Sequence, residues 1–315
     1  MSIIDDRVAP ALGLAAHLGR GMRRIGTDAA IGRLRRTPRT VADLDAAALA
    51  RLIGRPVASV EVIDGDAGTS SRARLTLTGD DVPASVFVKM AAETVATRLM
   101  GELGNLADTE TRFYRQLAPE LTGVPTSYGS AFDPWTGRFV LVLEDLADVC
   151  APRCEFPDTL HPIDPDRAAL VVELLAQLHR TFWGRLPQAV GTGPLGWVYS
   201  ASADSASLLT APLLRTSAQR MAQRTELPLE RGRFINEHYR ALAALVDRGP
   251  HTVMHGDAHP GNVYFRAGRA GLLDWQAGRR GPPSRELAYT LVTSMTAADR
   301  QATQRELLDV YRGAL

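Results

Sequence analysis

The most informative part of the sequence is His255-Gly256-Asp257-Ala258-His259-Pro260-Gly261-Asn262, followed further on by Leu272-Leu273-Asp274-Trp275. It places an acid and an amide five positions apart and a second acid twelve positions later. Short apolar runs at 252–254, 263–265 and 271–273 predict strands that begin or end beside these polar residues. The pattern therefore predicts a polar site at the ends of several short strands.

The last two runs are joined by a loop with Ala267 and Gly268 at its centre. Glycine accepts the positive φ of a tight hairpin turn, so a hairpin is predicted here. If the turn is centred on these two residues, Asn262 lies opposite Leu273. Asn262 and Asp274 then come within about 5–8 Å of each other across the ladder.

The chemistry of these polar residues fits phosphoryl transfer. One carboxylate and one amide, Asp274 and Asn262, suffice for Mg²⁺, which keeps water and phosphate oxygens as its other ligands. Asp257 is then free to receive the proton of an attacking hydroxyl, and the reaction needs little more than such a base and metal clamps. The alternative is turn chemistry, because Asp and Asn beside strands often bond their own backbone.

These motifs resemble the catalytic loop of the aminoglycoside phosphotransferase and choline kinase superfamily, and look closest to its ecdysteroid-kinase-like branch. The resemblance covers roughly 53–292 and implies an α+β, bilobal protein-kinase-like fold, with a small antiparallel-sheet N-lobe and a larger, mainly helical C-lobe. It implies that Asp257 is the catalytic base, that Asn262 and Asp274 are metal ligands, and that ATP and Mg²⁺ are the cofactors. The expected domains are an N-terminal helical extension over 1–52, a nucleotide-binding N-lobe over 53–146 ending in a hinge, and a catalytic and substrate-binding C-lobe over 147–315.

The only lysine of the chain is Lys89, at the end of the apolar run Ser85-Val86-Phe87-Val88. A compact ammonium fits between phosphate oxygens and a glutamate, where the wider guanidinium would not. The alternative is a surviving surface lysine in a chain that otherwise uses arginine. In the related kinases this lysine pairs with an acid on a following helix, and Glu110 in Glu110-Thr111-Arg112-Phe113-Tyr114 resembles that acid. Glu102 is the alternative partner, since most helix glutamates are solvated.

Two further segments resemble nucleotide-binding parts of these kinases. The glycine-rich loop expected at 65–72 allows backbone N–H groups to approach an anion, and Gly68, Ser70 and Ser71 resemble the family's short Gly-Ser-Ser loop. An ordinary hairpin turn is the alternative. The apolar strand from Arg138 stops at Glu144-Asp145-Leu146, which resembles the hinge whose backbone holds adenine; an ordinary sheet strand is the alternative.

Elsewhere in the chain, the spacing of apolar residues and the Ala-rich composition predict helices at 42–50, at 166–183 and over the amphipathic segment 229–246. Glu286 lies where the family has the aspartate of Asp-Leu-Ala, and its extra methylene puts any hydrogen bond of this acid in doubt. The acceptor site is expected within about 151–246. Its aromatic residues line a pocket or belong to the core: Trp183, Trp197, Tyr199 and Phe234.

Composition limits the other possibilities. A chain of 315 residues suits two lobes, and a net charge of +1 does not indicate a nucleic-acid partner. The Arg-rich stretch 20–39 is interpreted as solvated helix faces. Cys150 and Cys154 imply neither a disulfide framework nor zinc. Without a signal-like start or an apolar run of about 20 residues, a cytoplasmic protein without membrane contact is expected; the oligomeric state stays open.

Three function classes were compared. An ATP-dependent kinase acting on a small-molecule alcohol requires Lys89, Asp257, Asn262 and Asp274, and all four are present. A catalytically silent nucleotide-binding pseudokinase would be favoured by the loss of one of them. A metallophosphoesterase would need additional Gly-Asp and Gly-Asn-His elements that the chain lacks. Since 203–224 contains three arginines and one acid, a neutral or apolar alcohol is favoured over a polycationic aminoglycoside.

Overall fold

A five-stranded antiparallel sheet forms the small lobe of the protein, whose computed structural model describes residues 5–148, 153–201, 207–223 and 230–315. Its spatial order is β1-β2-β3-β5-β4. The strands are β1 (Ser59–Ala67), β2 (Ser70–Thr78), β3 (Ser85–Ala91), β4 (Ser127–Phe132) and β5 (Phe139–Glu144). Helices α3 (Val95–Leu103) and α4 (Leu106–Gln116) connect β3 to β4.

The two faces of this sheet bury different partners because side chains alternate along each strand. In β3, Val86 and Val88 are fully buried in a cluster that includes Leu49 of helix α2 (Ala46–Ile53). Phe87 and Lys89 lie on the opposite face, opposite Leu143 and Leu141 of β5 in the strand register. That face is directed toward α4 and the second lobe, so Lys89 lies at the junction of the lobes.

The large lobe is mainly helical, as expected. Its helices are α5 (Pro165–Phe182), α6 (Ser207–Ala222), α7 (Glu230–Glu237), α8 (Tyr239–Val246), α9 (Pro283–Ser294) and α10 (Ala297–Ala314). Short strands complete it: β6 (Cys154–Glu155), β7 (Thr252–Met254), β8 (Val263–Arg266), β9 (Arg269–Leu272) and β10 (Arg279–Gly281). Sheet β6-β8-β9 and pair β10-β7 carry the polar loops of the sequence motif. The α+β, bilobal kinase-like fold is thus confirmed.

Two helix predictions need correction. The Ala-rich helix begins at Ala46 and not at Ala42, because Asp45 accepts a hydrogen bond from Ala48 N at 2.7 Å and caps the helix there. The segment expected as one helix over 229–246 is two helices, which meet at His238, where φ is −108° and ψ is 15°. Residue 229 lies outside the described residues, as does Cys150 of the cysteine pair.

The N-terminal helix α1 (Asp5–Ile31) packs against α3. The arginines from 20 to 39 are not simply solvated. Arg24 donates to Glu102 at 2.8 Å, and Arg35 forms two hydrogen bonds with Asp133 at 2.9 and 3.1 Å. These pairs attach the N-terminal segment to the small lobe. Across the described ranges, none of the helices combines the length and apolar character needed to cross a bilayer.

Candidate active site

The loop and hairpin of the sequence motif have the predicted geometry. Ala267 and Gly268 both have positive φ, 50° and 73°, and form the tight turn between β8 and β9. Leu273 N donates to Asn262 O at 2.8 Å, which is the predicted register. Asn262 and Asp274 therefore lie side by side at the open end of the hairpin, and both line the same cleft.

Asp257 is reachable from solvent and is held by its neighbours. Its side chain is 39 % exposed. Its Oδ1 accepts a hydrogen bond from Tyr289 Oη at 2.6 Å, and its Oδ2 lies 3.7 Å from His259 Nε2. Its backbone oxygen accepts from Asn262 Nδ2 at 2.9 Å. With that amide orientation, the Oδ1 atom of Asn262 is left to face a cation.

Lys89 lies between two carboxylates. Its Nζ is 2.7 Å from Glu110 Oε2 and 2.7 Å from Asp274 Oδ1. Lys89 and Glu110 are 5 % and 1 % exposed, so this ion pair is buried. Burial raises the pKa of Glu110 to about 7, although the positive charge of Lys89 opposes the rise. Burial alone would lower the pKa of Lys89, but the charges of Glu110 and Asp274 outweigh it and raise that pKa.

The alternative partner Glu102 is engaged elsewhere, in the ion pair with Arg24 of α1. The structure thus brings together Lys89, Glu110, Asn262 and Asp274 in one cleft. The cleft is open to solvent, so a ligand can reach these side chains.

The predicted hinge residues line this cleft, but their carboxylates point to other partners. Glu144 accepts hydrogen bonds from Arg266 and from Thr126 N. Asp145 is 4 % exposed and accepts from Arg74 Nε at 3.0 Å and from Arg74 Nη2 at 3.0 Å. Only the backbone of 144–146 is therefore left to face a base, while the buried Leu146 adds apolar surface.

The glycine-rich loop is shorter than expected. Strand β1 ends at Ala67 and strand β2 begins at Ser70, so that only Gly68 and Thr69 form the turn. Gly68 N donates to Ser70 O at 2.9 Å. Ser70 and Ser71 are strand residues with 4 % and 6 % exposure. None of Gly68, Ser70 and Ser71 lines the large cleft; Ser70 lines a smaller adjoining space together with Glu110.

Glu286 supports the backbone of His255 and Gly256, a contact that its extra methylene had put in question. It is 3 % exposed and accepts from Gly256 N at 2.6 Å and from His255 N at 3.1 Å. His179, which is fully buried, connects it to Tyr311 through contacts of 2.9 Å on both sides. Burial would raise the pKa of Glu286, but the hydrogen bond from His179 and the adjoining charges lower it. The extra methylene therefore does not prevent the carboxylate from reaching the loop.

The two residues before Asp257 are both restricted by their surroundings: His255 is held as a neutral ring, and Gly256 has no space for a side chain. His255 Nε2 donates to Leu273 O at 2.7 Å, and its Nδ1 accepts from Asp257 N at 3.3 Å, which defines a neutral ring. Burial lowers the pKa of His255 and maintains that state. Gly256 has φ +84°, and a Cβ there would overlap the carbonyl oxygen of Ala277. Only glycine fits between these residues.

Tyr289 was missed by sequence reasoning. It lies three residues after Glu286 on α9, so the helix that carries Glu286 to Gly256 also brings Tyr289 toward Asp257. Burial and the hydrogen bond to Asp257 raise the pKa of Tyr289. That helical spacing was the signal in the sequence. The Tyr289 hydroxyl occupies Oδ1 of Asp257 and leaves Oδ2 with longer contacts only.

The aromatic residues considered for the acceptor site do not line the cleft. Trp183 and Phe234 are 44 % and 57 % exposed. Trp197 Nε1 donates to Gln116 at 2.8 Å, and Tyr199 Oη donates to Gly104 O at 3.1 Å. The hydrogen bonds of Trp197 and Tyr199 attach this segment to the two ends of α4.

The donor set in the cleft suits a hard cation that keeps water. In the part of the chain that the structure describes, no three His, Cys, Asp or Glu side chains are grouped to hold a metal ion. Mg²⁺ does not need such a cage, because one or two protein oxygens plus water and phosphate oxygens complete its octahedron. Asn262 and Asp274 supply such a set next to Lys89.

The chain matches a known protein family over most of its length. Residues 66–314 match the model of the phosphotransferase enzyme family. The chain belongs to that family, and phosphoryl transfer is accordingly its class of reaction. A comparison with proteins of curated description gave no match.

Several solved structures have a similar course of the chain. Macrolide 2′-phosphotransferase from Brachybacterium faecium is 17 % identical over 84 % of this chain and 81 % of that chain, with a TM-score of 0.48. Aminoglycoside phosphotransferase APH(3″)-Id from Streptomyces rimosus is 15 % identical over 79 % and 85 %, with a TM-score of 0.48. A choline/ethanolamine kinase family protein from Mesorhizobium loti is 15 % identical over 81 % and 70 %, with a TM-score of 0.46. TM-scores below 0.5 mark a loose similarity in shape.

Proposed function

We propose that the protein is an ATP-dependent kinase that transfers the γ-phosphate to a hydroxyl group of a small molecule. The observation that carries the proposal is Lys89, held at 2.7 Å from both Glu110 and Asp274 in the cleft that also contains Asn262. An ammonium in that position is oriented for phosphate oxygens. The hinge backbone would hold the adenine, and the turn at Gly68 would cover the phosphates.

Asn262 and Asp274 would hold Mg²⁺, which neutralises phosphate charge when it is bound. Lys89 orients the α- and β-phosphates while Glu110 keeps its ammonium in place. Asp257 orients the acceptor hydroxyl and receives its proton. In the transfer itself, a bond forms between the acceptor oxygen and the γ-phosphorus, and the bond from that phosphorus to the bridging oxygen of ADP breaks.

Tyr289 donates to Oδ1 of Asp257, and a carboxylate offers about four lone-pair sites on its two oxygens. An acceptor hydroxyl would bind beside the phenol or replace it, since the tyrosine is 39 % exposed and can turn toward solvent. In either case the acceptor would lie next to α9 as well as next to the loop.

The alternative, a catalytically silent nucleotide-binding protein, is not favoured. Such a protein would be expected to lack the base, the lysine or a metal ligand. Here all four side chains are present, and their mutual distances support a working site. The acceptor class that we favour remains a neutral or apolar alcohol, on the basis of the few acids in 203–224, part of which lies outside the described residues. A cytoplasmic location also remains a prediction from the sequence.

The test begins with ATP consumption by the purified protein in a screen of alcohols, sterols, choline, sugars and aminoglycosides. Asp257→Asn should then lower turnover on the best acceptor by at least ~100-fold, the usual scale for a general base, and leave nucleotide affinity nearly unchanged. The matched control is Asp166→Asn, since Asp166 is exposed on α5. Normal turnover of the Asp257→Asn protein would refute the assignment. Asp274→Asn should weaken Mg-ATP binding in calorimetry, and unchanged affinity would remove Asp274 from the metal site.

A further inference from the structure

A second concave site lies outside the catalytic cleft, between the segment that follows α1, helix α2 and the start of β5. It is a shallow concavity that opens widely to solvent. Its acids are Asp43 and Glu93. Six arginines line it, and we call it the arginine pocket: Arg33, Arg35, Arg36, Arg39, Arg51 and Arg138. The cleft residues Lys89, Asn262 and Asp274 are not part of it.

Half of these arginines are not neutralised by a neighbour. Arg33, Arg36 and Arg51 are exposed, and within the described ranges no carboxylate oxygen lies within 4.0 Å of their guanidinium nitrogens. By contrast, Arg35 is bound in two places by Asp133. The pocket therefore has three exposed guanidinium groups that no carboxylate of the described residues neutralises.

The wall of the pocket is a fixed structure. Asp43 accepts hydrogen bonds from the backbone N–H groups of Arg39 and Thr40, each at 2.9 Å, and anchors the loop to the turn ahead of α2. Arg138 Nη1 donates to Arg39 O at 2.8 Å and ties the same loop to β5. The backbone at residues 39 and 40 is thus held in place before a ligand arrives, which lowers the entropy cost of binding at this edge of the pocket.

The buried layer behind the pocket adds further positive charge. Asp28 is 2 % exposed and accepts from Arg98 at 2.7 Å and from Arg138 at 2.8 and 3.0 Å, with Arg39 at 3.4 Å. One carboxylate thus faces three guanidinium groups. Its Oδ1 and the Nε of Arg39 have no hydrogen-bond partner. Charges in such a water-poor layer are screened less than surface charges, so they raise the potential of the pocket.

We propose that the arginine pocket binds a ligand with clustered phosphate groups, either a soluble polyphosphate or the headgroup of a phosphorylated lipid. Guanidinium groups match phosphate oxygens through paired N–H donors, and several in one concavity favour several adjacent phosphates. The concave shape with a fixed wall suits a compact anion better than a long duplex. The site is independent of the kinase activity proposed for the cleft.

The test compares two variants with equal loss of charge. Arg33→Gln/Arg36→Gln/Arg51→Gln removes the unneutralised groups, and Arg115→Gln/Arg248→Gln/Arg305→Gln removes three exposed arginines on other elements. Inorganic tripolyphosphate is titrated into each protein by calorimetry without divalent cations. Any binding in the catalytic cleft is common to all the proteins and cancels in the comparison.

The pocket variant should bind tripolyphosphate about 3- to 125-fold more weakly than the wild type, since each of the three exposed ionic contacts is worth about 1.4- to 5-fold. The control variant should bind like the wild type. The lipid source is tested by flotation with phosphatidylcholine vesicles, with and without a minor fraction of phosphatidylinositol bisphosphate. A loss of binding that is confined to the pocket variant supports the site. A loss in the calorimetry identifies a soluble polyphosphate as the ligand, and a loss in the flotation identifies a lipid headgroup. Equal binding by both variants, or binding in neither arm, would overturn the proposal.

Discussion

Glu286→Gln tests whether the acid beneath the catalytic loop holds that loop in its working position. In the wild type, Oε1 accepts from Gly256 N, and Oε2 accepts from His255 N and contacts His179 Nε2. An amide has one acceptor oxygen and one NH₂ group. Whichever way glutamine is turned, its NH₂ group therefore faces one of the two backbone N–H donors, and that donor loses its acceptor.

The cost follows from the burial of this site. Hydrogen bonds to a charged acceptor are worth about 1.5–3 kcal/mol, and a buried donor left without an acceptor costs a similar amount. Because Glu286 is 3 % exposed, water does not replace the lost acceptor. We expect the free energy of unfolding to fall by about 1.5–3 kcal/mol. We also expect turnover to fall more than Mg-ATP affinity, since His255 and Gly256, whose N–H groups bind Glu286, directly precede Asp257 in the chain.

The assay is urea unfolding followed by fluorescence, together with steady-state turnover on the acceptor found in the screen. Glu306→Gln is the matched control, because Glu306 is an exposed acid on α10 and surface substitutions usually change stability by less than about 0.5 kcal/mol. If Glu286→Gln unfolds at the same urea concentration as Glu306→Gln and retains full turnover, the supporting role assigned to Glu286 is wrong.

Three other predictions follow from the same loop. Gly256→Ala should lower the free energy of unfolding in urea much more than Gly268→Ala does. Both glycines have positive φ, but only at Gly256 would an added Cβ overlap backbone atoms. If both variants lose only the ~1–2 kcal/mol of left-handed backbone strain, the prediction is wrong. Burial depresses the pKa of His255 below its ordinary value of 6.5, so the unfolded chain binds the proton at a higher pH than the folded protein does. The free energy of unfolding should therefore decrease as the pH falls below about 6.5. The decrease should be shallower for His255→Gln, and an identical decrease in both proteins would contradict this role of His255. Tyr289→Phe should free Oδ1 of Asp257 and raise the slow ATP hydrolysis by water in the absence of an acceptor; a rate equal to that of the wild type would show that the phenol does not restrict the base.

Turn and pairing rules were sufficient to predict the structure where the geometry depends on only a few neighbouring residues. The Ala267-Gly268 turn sets the register of its hairpin, and that register alone places Asn262 beside Asp274. The pairing of Lys89 with Glu110 and not with Glu102 was chosen by family resemblance. The structure supplies its physical reason, because Glu102 is neutralised by Arg24 from a helix that lies 78 residues earlier in the chain.

Long-range packing explains what the sequence did not predict. The turn at Gly68 is short because β1 and β2 continue pairing to Ala67 and Ser71, which glycine-rich composition does not reveal. The split at His238 is likewise invisible in an apolar pattern that continues across it. The contact between Tyr289 and Asp257 depends on how α9 docks against the loop, and periodicity only specifies that Tyr289 shares a helix face with Glu286.

The charges in the cleft connect the proposed metal site to the lysine. Lys89 is one positive charge between two carboxylates, and the charge of Asp274 is one of the causes that raise the pKa of Glu110 to about 7. A cation held by Asn262 and Asp274 would offset the charge of Asp274 and so favour the ionised form of Glu110. The ionised carboxylate holds the ammonium of Lys89 more firmly than the neutral acid does. A cation at the proposed site would thus strengthen the ion pair between Lys89 and Glu110.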